Sequence, residues 1–302
     1  MPSTLKTYLE LCRFPAVFTA AADVFLGLAL TGRFTFTADN AKSLAIGVAA
    51  SAGLYLGGMV LNDLLDRRRD AEERPSRPIP SGRVSPRAAW AFYAALTVGG
   101  LLAAACGGAV CLGVAAAVAG SVWLYDGPLK RTPLGPAAMG ACRVGNVLLG
   151  ASVELLTWDV LWKPYVWAAA VAMGVYVTGL TLFARTEAVR SARWRLLAGV
   201  AVVNGGIVGV AAWSVEYGRM DAVQLLGLVV IAYVLNRRLV AAVREPAPEV
   251  VGPCVKRMLL MLPILDAVLV AAAGGPDAIP WAVGCALLVL PAATAGRVLR
   301  LT

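Results

Sequence analysis

The chain has 302 residues, of which 59% are hydrophobic and 15% charged, and it contains no histidine. A soluble domain would carry roughly 25% charged residues, so the composition points to a polytopic membrane protein, and the missing histidine excludes imidazole acid–base chemistry and histidine metal sites. The formal net charge of +9 lies beside apolar runs, which suits membrane lipids and topology and gives no case for nucleic acid as a partner.

In chain order, windows of about 20 apolar residues predict spanning helices near 13–31, 43–65, 86–105, 107–125, 135–155, 164–184, 195–216, 221–240, 255–273 and 279–298. The last pair is the weakest, because Gly274-Gly275-Pro276 could join two spans or break one re-entrant hairpin, so about nine to ten spans are expected. Lys6 and Arg13 precede the first apolar run as they would in a leader. Asp23 interrupts that run, however, and no small-residue cleavage site follows, so a retained helix is expected. An even number of spans puts both termini on one side. Of the 27 lysines and arginines, only Arg33, Lys42, Lys163 and Arg219 then fall on the opposite side, with Arg143 inside a span. By the positive-inside rule the N-terminus is cytoplasmic.

The six cysteines show no CxxC pairing and read as small apolar packing residues. Glycines such as Gly53, Gly57, Gly145 and Gly150 suit close helix packing. The expectation is one all-α transmembrane domain over residues 1–302. Two long basic connections, 66–86 and 185–194, follow the second and sixth spans on one face, a layout that a duplicated four-helix unit would give.

The most informative stretch ends the second span. Asp63, Asp66 and Asp70 are spaced three and four apart, which on a continuous helix stacks them on one face. Clustered carboxylates repel one another unless a cation sits between them, and Mg²⁺ takes oxygen ligands that it often shares with a substrate phosphate. The alternative is a solvated helix end balanced by Arg67, Arg68 and Arg69. After the fourth span, Tyr125-Asp126-Gly127-Pro128-Leu129-Lys130-Arg131 brings Lys130 and Arg131 to a turn where they could meet diphosphate oxygens or simply set topology. Arg143 and Asn146 share a face inside the fifth span. Intramembrane arginine is costly and usually faces a cavity or a partner, and Asp23 and Asp266 are candidate partners. Glu187 closes the sixth span where symmetry would place a second acidic cluster.

These segments resemble the UbiA superfamily of intramembrane prenyltransferases. Asn62, Asp63, Asp66 and Asp70 match its NDxxDxxxD motif, and Arg77-Pro78-Ile79-Pro80-Ser81-Gly82 matches the RPIPSG segment that follows. Tyr125 with Leu129-Lys130-Arg131-Thr132 is similar to a further element, and Arg13-Phe14-Pro15 also fits. The resemblance implies an all-helical bundle around a central cavity, with Mg²⁺ gripping an isoprenyl diphosphate. It implies transfer of the prenyl group to a hydrophobic, often aromatic, acceptor. Carried over, Asn62, Asp63, Asp66 and Asp70 would hold metal and diphosphate, with Glu187 beside them. Arg77, Tyr125, Lys130 and Arg131 would bind the donor, and Arg143 and Asn146 would line the acceptor cavity.

The chain departs from the family in one respect. The second DxxxD-type motif is replaced by Arg185-Thr186-Glu187, which offers a single carboxylate. The texture of the motifs looks most like the EboC-type branch, associated with bacterial clusters that modify or export specialised metabolites, which implies a bacterial cell membrane. A rival reading is a UbiA-like protein that binds or transports a prenylated lipid or metabolite without catalysis.

Overall fold

The computed structural model describes residues 4–187 and 189–298, and all regular structure among them is helical. A short helix α1 (Thr4–Leu11) turns into α2 (Val17–Leu30) through a 51° bend. The bend is set by Arg13, whose backbone is left-handed (φ 48°), followed by Pro15. The long α3 (Ala38–Leu65) starts at Thr37, whose hydroxyl accepts from Asn40 N. It is followed by α4 (Arg67–Glu73), α5 (Pro86–Cys106) and α6 (Ala109–Leu124). Ser85 caps α5 by accepting from Ala88 N, and Pro86 occupies the first turn, where a missing N–H costs nothing. Then come α7 (Gly135–Ser152), α8 (Pro164–Ala184), α9 (Arg193–Glu216), α10 (Ala222–Arg244) and α11 (Pro248–Gly274), and α12 (Ile279–Leu287) and α13 (Val289–Val298) end the described chain. Asp221 and Gln224 form a reciprocal capping box at the start of α10.

Every predicted span contains helix, but not every one is a straight rod. By length and hydropathy seven helices among the described residues suffice to cross a membrane, or eight if bent α1–α2 counts as one. The segment α7 falls short because Arg143 and Asn146 interrupt its apolar run. The expected final span, 279–298, is two short helices that part at Leu288. Pro291 explains the break, since it lacks an N–H and its ring crowds the carbonyl four residues earlier.

Packing follows a repeated order. Helix α2 packs on α3, α3 on α5, α5 on α6; in the second half α7 packs on α8, α8 on α9, and α9 on α10. Helix α11 returns to α2, and α2 lies directly against α7, which closes the bundle. Large side chains including Trp281, Tyr176 and Phe183 fill the interior. Outward faces stay apolar. The apolar window of α5 is only 17% buried, and Leu102, Val208, Val230 and Tyr233 are exposed. Such a surface is satisfied by lipid rather than water.

Helices α2 and α7 approach each other backbone to backbone. A Cβ added at Gly27 would lie 2.3 Å from Ala151 N and 2.5 Å from Val147 O, and one at Gly150 would lie 2.7 Å from Val24 Cα. No side-chain movement relieves such contacts. Gly27→Val is therefore expected to destabilise the bundle by about 1–3 kcal/mol or more, seen as a lower melting temperature in detergent. Gly99→Ala, where nothing lies within 4 Å, should leave the melting temperature close to wild type.

Candidate active site

A cavity of about 630 Å³ opens between the helices. Its mouth is lined by both long basic connections: Asp66, Asp70, Arg74 and Arg77 from the first, Arg185 and Glu187 from the second. The first connection is held by a small core of its own. Ile79 and Val84 are buried with Leu11, Val60, Leu64 and Ala89. Backbone bonds from Ser81 N to Arg77 O, Gly82 N to Ile79 O and Val84 N to Pro78 O tighten the loop, with Gly82 at φ 74°. Anchoring Ile79 in this way fixes Arg77 over the end of α3.

The acidic motif divides in two. Helix α3 ends at Asp66, whose backbone (φ −85°, ψ 0°) leaves the helical region before α4 resumes, so its aspartates do not share one continuous helical face. Asp63 is 4% exposed and is not among the cavity-lining residues. Its Oδ1 accepts from Arg13 Nη2 and from Arg77 Nη1, each at 3.1 Å. Arg77 Nη1 also donates to Asp70 Oδ2 at 2.6 Å. Asn62, Asp66 and Asp70 line the cavity.

Tyr125–Leu129 form one wide turn at the end of α6, where the Lys130 N–H reaches five residues back to Tyr125 O at 2.7 Å. Pro128 inside it has no N–H for the ordinary helical bond. The turn delivers Lys130 to Asp66, with a short hydrogen bond from Nζ to Oδ2, and to within 3.7 Å of Asp126 Oδ1. Arg131 is mostly exposed and reaches Asp66 Oδ1 at 3.4 Å. Burial raises the proton affinity of Asp66, but Lys130 and Arg131 together outweigh it and hold its carboxyl below the usual value. Tyr125 is nearly buried and lines the cavity. Asp126 was not singled out from the sequence. It is 7% exposed, lines the cavity, and accepts from Asn62 Nδ2 at 2.6 Å. The sequence signal for it is its place beside a turn that Pro128 widens.

Glu187 lines the same mouth from the opposite connection. Its Oε2 is buried and has no hydrogen-bond partner. Burial raises its carboxyl above the usual value, offset in part by Arg74, Arg13 and Arg77. Arg185 Nη2 donates to Arg131 O at 2.9 Å, tying the second connection to the turn that carries Lys130. Deeper in, Arg143 and Asn146 also line the cavity, and Arg143 is paired with both predicted candidates, Asp23 and Asp266.

Among the described residues no three acidic or cysteine side chains converge on a metal position, because each acid of the first motif is held by a basic side chain. The donor set is nonetheless all oxygen, as a hard cation requires, and it includes the orphaned Glu187 Oε2. Lys130 Nζ, between Asp66 and Asp126, shows that these two carboxylates accommodate a cation. The residues present fit Mg²⁺.

Comparison with known proteins points the same way. A digeranylgeranylglyceryl phosphate synthase of Methanopyrus kandleri is 39% identical over 150 residues, 49% of this chain and 54% of the relative. One from Ignicoccus hospitalis is 32% identical over 154 residues, 51% and 49% of the two chains. The chain thus spans about half the length of the curated relatives it matches. A UbiA homologue from Aeropyrum pernix superposes with a TM-score of 0.66 at 20% identity, over 83% of this chain and 96% of that one. A UbiA homologue from Archaeoglobus fulgidus, solved with DMAPP and Mg²⁺, gives 0.64 at 13% identity over 93% and 99%. These likenesses establish the fold. A family model described as the UbiA prenyltransferase family matches residues 17–302, and with that extent of match the chain belongs to the UbiA prenyltransferase family.

Proposed function

We propose that the protein is a Mg²⁺-dependent intramembrane prenyltransferase that moves an isoprenyl group from an allylic diphosphate to a hydrophobic acceptor. The observation that carries this reading is the partition of one cavity. A mouth dense in both carboxylates and guanidinium groups opens onto an interior walled by Leu54, Val118, Val177, Leu180 and Leu262. An amphiphile with a multiply charged head and an apolar tail matches that division. Relatives named digeranylgeranylglyceryl phosphate synthases and a homologue solved with DMAPP and Mg²⁺ support the same class.

In this reading Asn62, Asp66, Asp70, Asp126 and Glu187 are the side chains available to hold the metal, which when bound would neutralise the diphosphate and favour its departure. Asp63 serves a different purpose, fixing Arg13 and Arg77 so that their remaining N–H groups face the head group. Lys130, at the mouth beside Asp66 and Asp126, would donate to diphosphate oxygens as a point charge. Charge developing on the leaving group is stabilised by this preorganised set, while the apolar walls exclude water from the allylic cation until the acceptor captures it. Arg143, Asn146 and Tyr125 bound the space left for the acceptor. We treat residues 1–302 as a single UbiA-like domain. The mouth is assigned to the cytoplasmic face by the charge asymmetry of the loops, and a bacterial cell membrane and the EboC-type branch rest on the texture of the motifs.

Purified protein with labelled farnesyl or geranylgeranyl diphosphate tests the reading. Asp66→Ala and Asp70→Ala should each lower Mg²⁺-dependent diphosphate release by about 100-fold or more, and unchanged turnover would remove the assigned site. Glu187→Gln should raise the Mg²⁺ needed for half-maximal release by roughly 10-fold. Tight binding of the diphosphate with no release over long incubation would mark the non-catalytic rival, which the single carboxylate of the second connection favours.

The Asp66 ion pairs also give a pH signature. A carboxyl held lower in the folded than in the unfolded state stabilises the fold above the unfolded value, about 3.9. That contribution is lost as pH falls through the lower folded value. Melting temperature below about pH 4 should therefore fall more steeply in wild type than in Asp66→Asn.

A further inference from the structure

Five hydroxyl side chains line the cavity: Thr19, Tyr55, Tyr125, Thr181 and Thr186. The protein satisfies two of them, since Thr19 Oγ1 donates to Ala16 O and Thr186 Oγ1 to Ser191 Oγ, each at 2.8 Å. The hydroxyls of Tyr55, Tyr125 and Thr181 make no hydrogen bond among the described residues, and none of the three is sealed inside the wall. For Thr181 the missing bond is unusual. A helical threonine commonly donates to a carbonyl of the turn before it, as Thr178 does to Gly174 O at 2.8 Å on the same helix.

Tyr125 stands at the mouth, next to Asp126, whereas Tyr55 and Thr181 lie farther in. Tyr55 is seven residues before Asn62 on α3, which keeps it on nearly the same face, about 10 Å deeper at 1.5 Å per residue. Its hydroxyl is within reach of the charges on Arg13, Arg143 and Asp23, all of them cavity residues, so it points inward. Thr181 is one turn inside Arg185 on α8. Helices α3 and α8 are not packing neighbours, so the two hydroxyls stand on separate walls. The lining around them is apolar, with Leu54, Val118, Met139, Val177 and Leu180.

A hydroxyl in apolar surroundings is costly to leave unpaired and is normally matched. Neither part of the donor can match these two. The prenyl chain has no polar atom, and the diphosphate belongs with the charged groups at the mouth. We infer that Tyr55 and Thr181 recognise the acceptor, by hydrogen bonds to a hydroxyl or carbonyl oxygen that it carries on an otherwise apolar body. This rests on the prenyl-transfer reading. Both side chains are uncharged and can donate or accept, so either kind of oxygen fits them. Their level suits transfer as well as recognition. The interval from Asn62 to Tyr55 is taken up by the diphosphate and the first carbons of the chain, so an acceptor held at Tyr55 and Thr181 abuts the reacting end of the donor.

The test uses two probe pairs in which a methyl replaces a hydroxyl: 4-propylphenol with 4-propyltoluene, and 1-naphthol with 1-methylnaphthalene. Binding to the Mg²⁺-free protein is measured by equilibrium dialysis, and comparing wild type with variant in one detergent removes the probes' own partition. Transfer to the hydroxyl probes is measured with Mg²⁺ and labelled geranylgeranyl diphosphate. Wild type should bind each hydroxyl probe about 10-fold tighter than its methyl partner. Tyr55→Phe and Thr181→Val should each cut that preference by about 3-fold or more, and the double variant should bring it near unity. Affinity for geranylgeranyl diphosphate should stay within about 2-fold of wild type in both variants, because its head group is bound turns away. No preference in wild type for either pair, a preference that either substitution leaves unchanged, or loss of donor and probe affinity together overturns the inference. If the preference depends on both residues but neither hydroxyl probe is prenylated, the transfer reading fails and the recognition inference stands.

Discussion

A carboxylate withdrawn from water is tolerated only where cations or donors replace the solvent it has lost, and this bundle withdraws many of them. Asp63 is met by two arginines, Asp70 shares one of those, Asp66 is met by Lys130, and Asp23 and Asp266 close on Arg143. Asp70 meets Arg77 within one connection, while Arg13, Lys130 and Arg143 reach their aspartates from elements distant in sequence. The bend at Arg13, the loop around Ile79, the turn at Pro128 and the polar face of α7 are all arranged so that the basic partner arrives. Such pairs contribute little net stability compared with apolar packing of the same volume. What they do instead is fix geometry, because losing a partner leaves a buried charge less fully compensated.

Much of this could be read from the residues alone. An apolar run ending in Asn62 and three spaced aspartates points to a charged end, and of these Asn62, Asp66 and Asp70 line the cavity, while the helix-internal Arg143 and Asn146 announce a polar interior. The limits were those of local spacing. Three-and-four spacing describes a continuous helix, whereas α3 stops at Asp66 and Asp63 is held by Arg13 and Arg77; Asp66 and Asp70 line the cavity and Asp63 does not. The clamp on Asp63 depends on a left-handed backbone at Arg13, a conformation that an arginine does not advertise. The partner of Arg143 could be narrowed to Asp23 or Asp266, but spacing within α7 is silent about which helices stand opposite, and both turned out to be partners. Asp126 was passed over because a lone acid beside a Gly-Pro turn looks like an ordinary loop residue. Its meaning appears only when Pro128 widens the turn and Asn62 meets it across the bundle. The last segment is two helices and not one rod, because hydropathy does not register what Pro291 does to the helix before it.

The two connections at the mouth occupy equivalent places in the repeated packing order and are built differently. The first has its own apolar core and carries Asp66 and Asp70 already paired. The second has one acid, Glu187, with an oxygen left unpaired, and it is joined to the first half by Arg185 and the Arg131 carbonyl. A head group with several negative charges can be balanced by metal ions or by guanidinium groups. A mouth that gives up carboxylates on one side while keeping Arg13, Arg74, Arg77 and Arg185 around it moves that balance toward fixed protein charge. Guanidinium groups locked in place need no reorganisation when negative charge develops beside them. On the proposed function, the shortened second motif therefore changes which groups carry the leaving group's charge, with less demand for metal on the Glu187 side. The cavity beneath keeps its shape because the pairings that fix it, Asp63 with Arg13 and Arg77, and Arg143 with Asp23 and Asp266, involve neither Glu187 nor any other residue of the second connection.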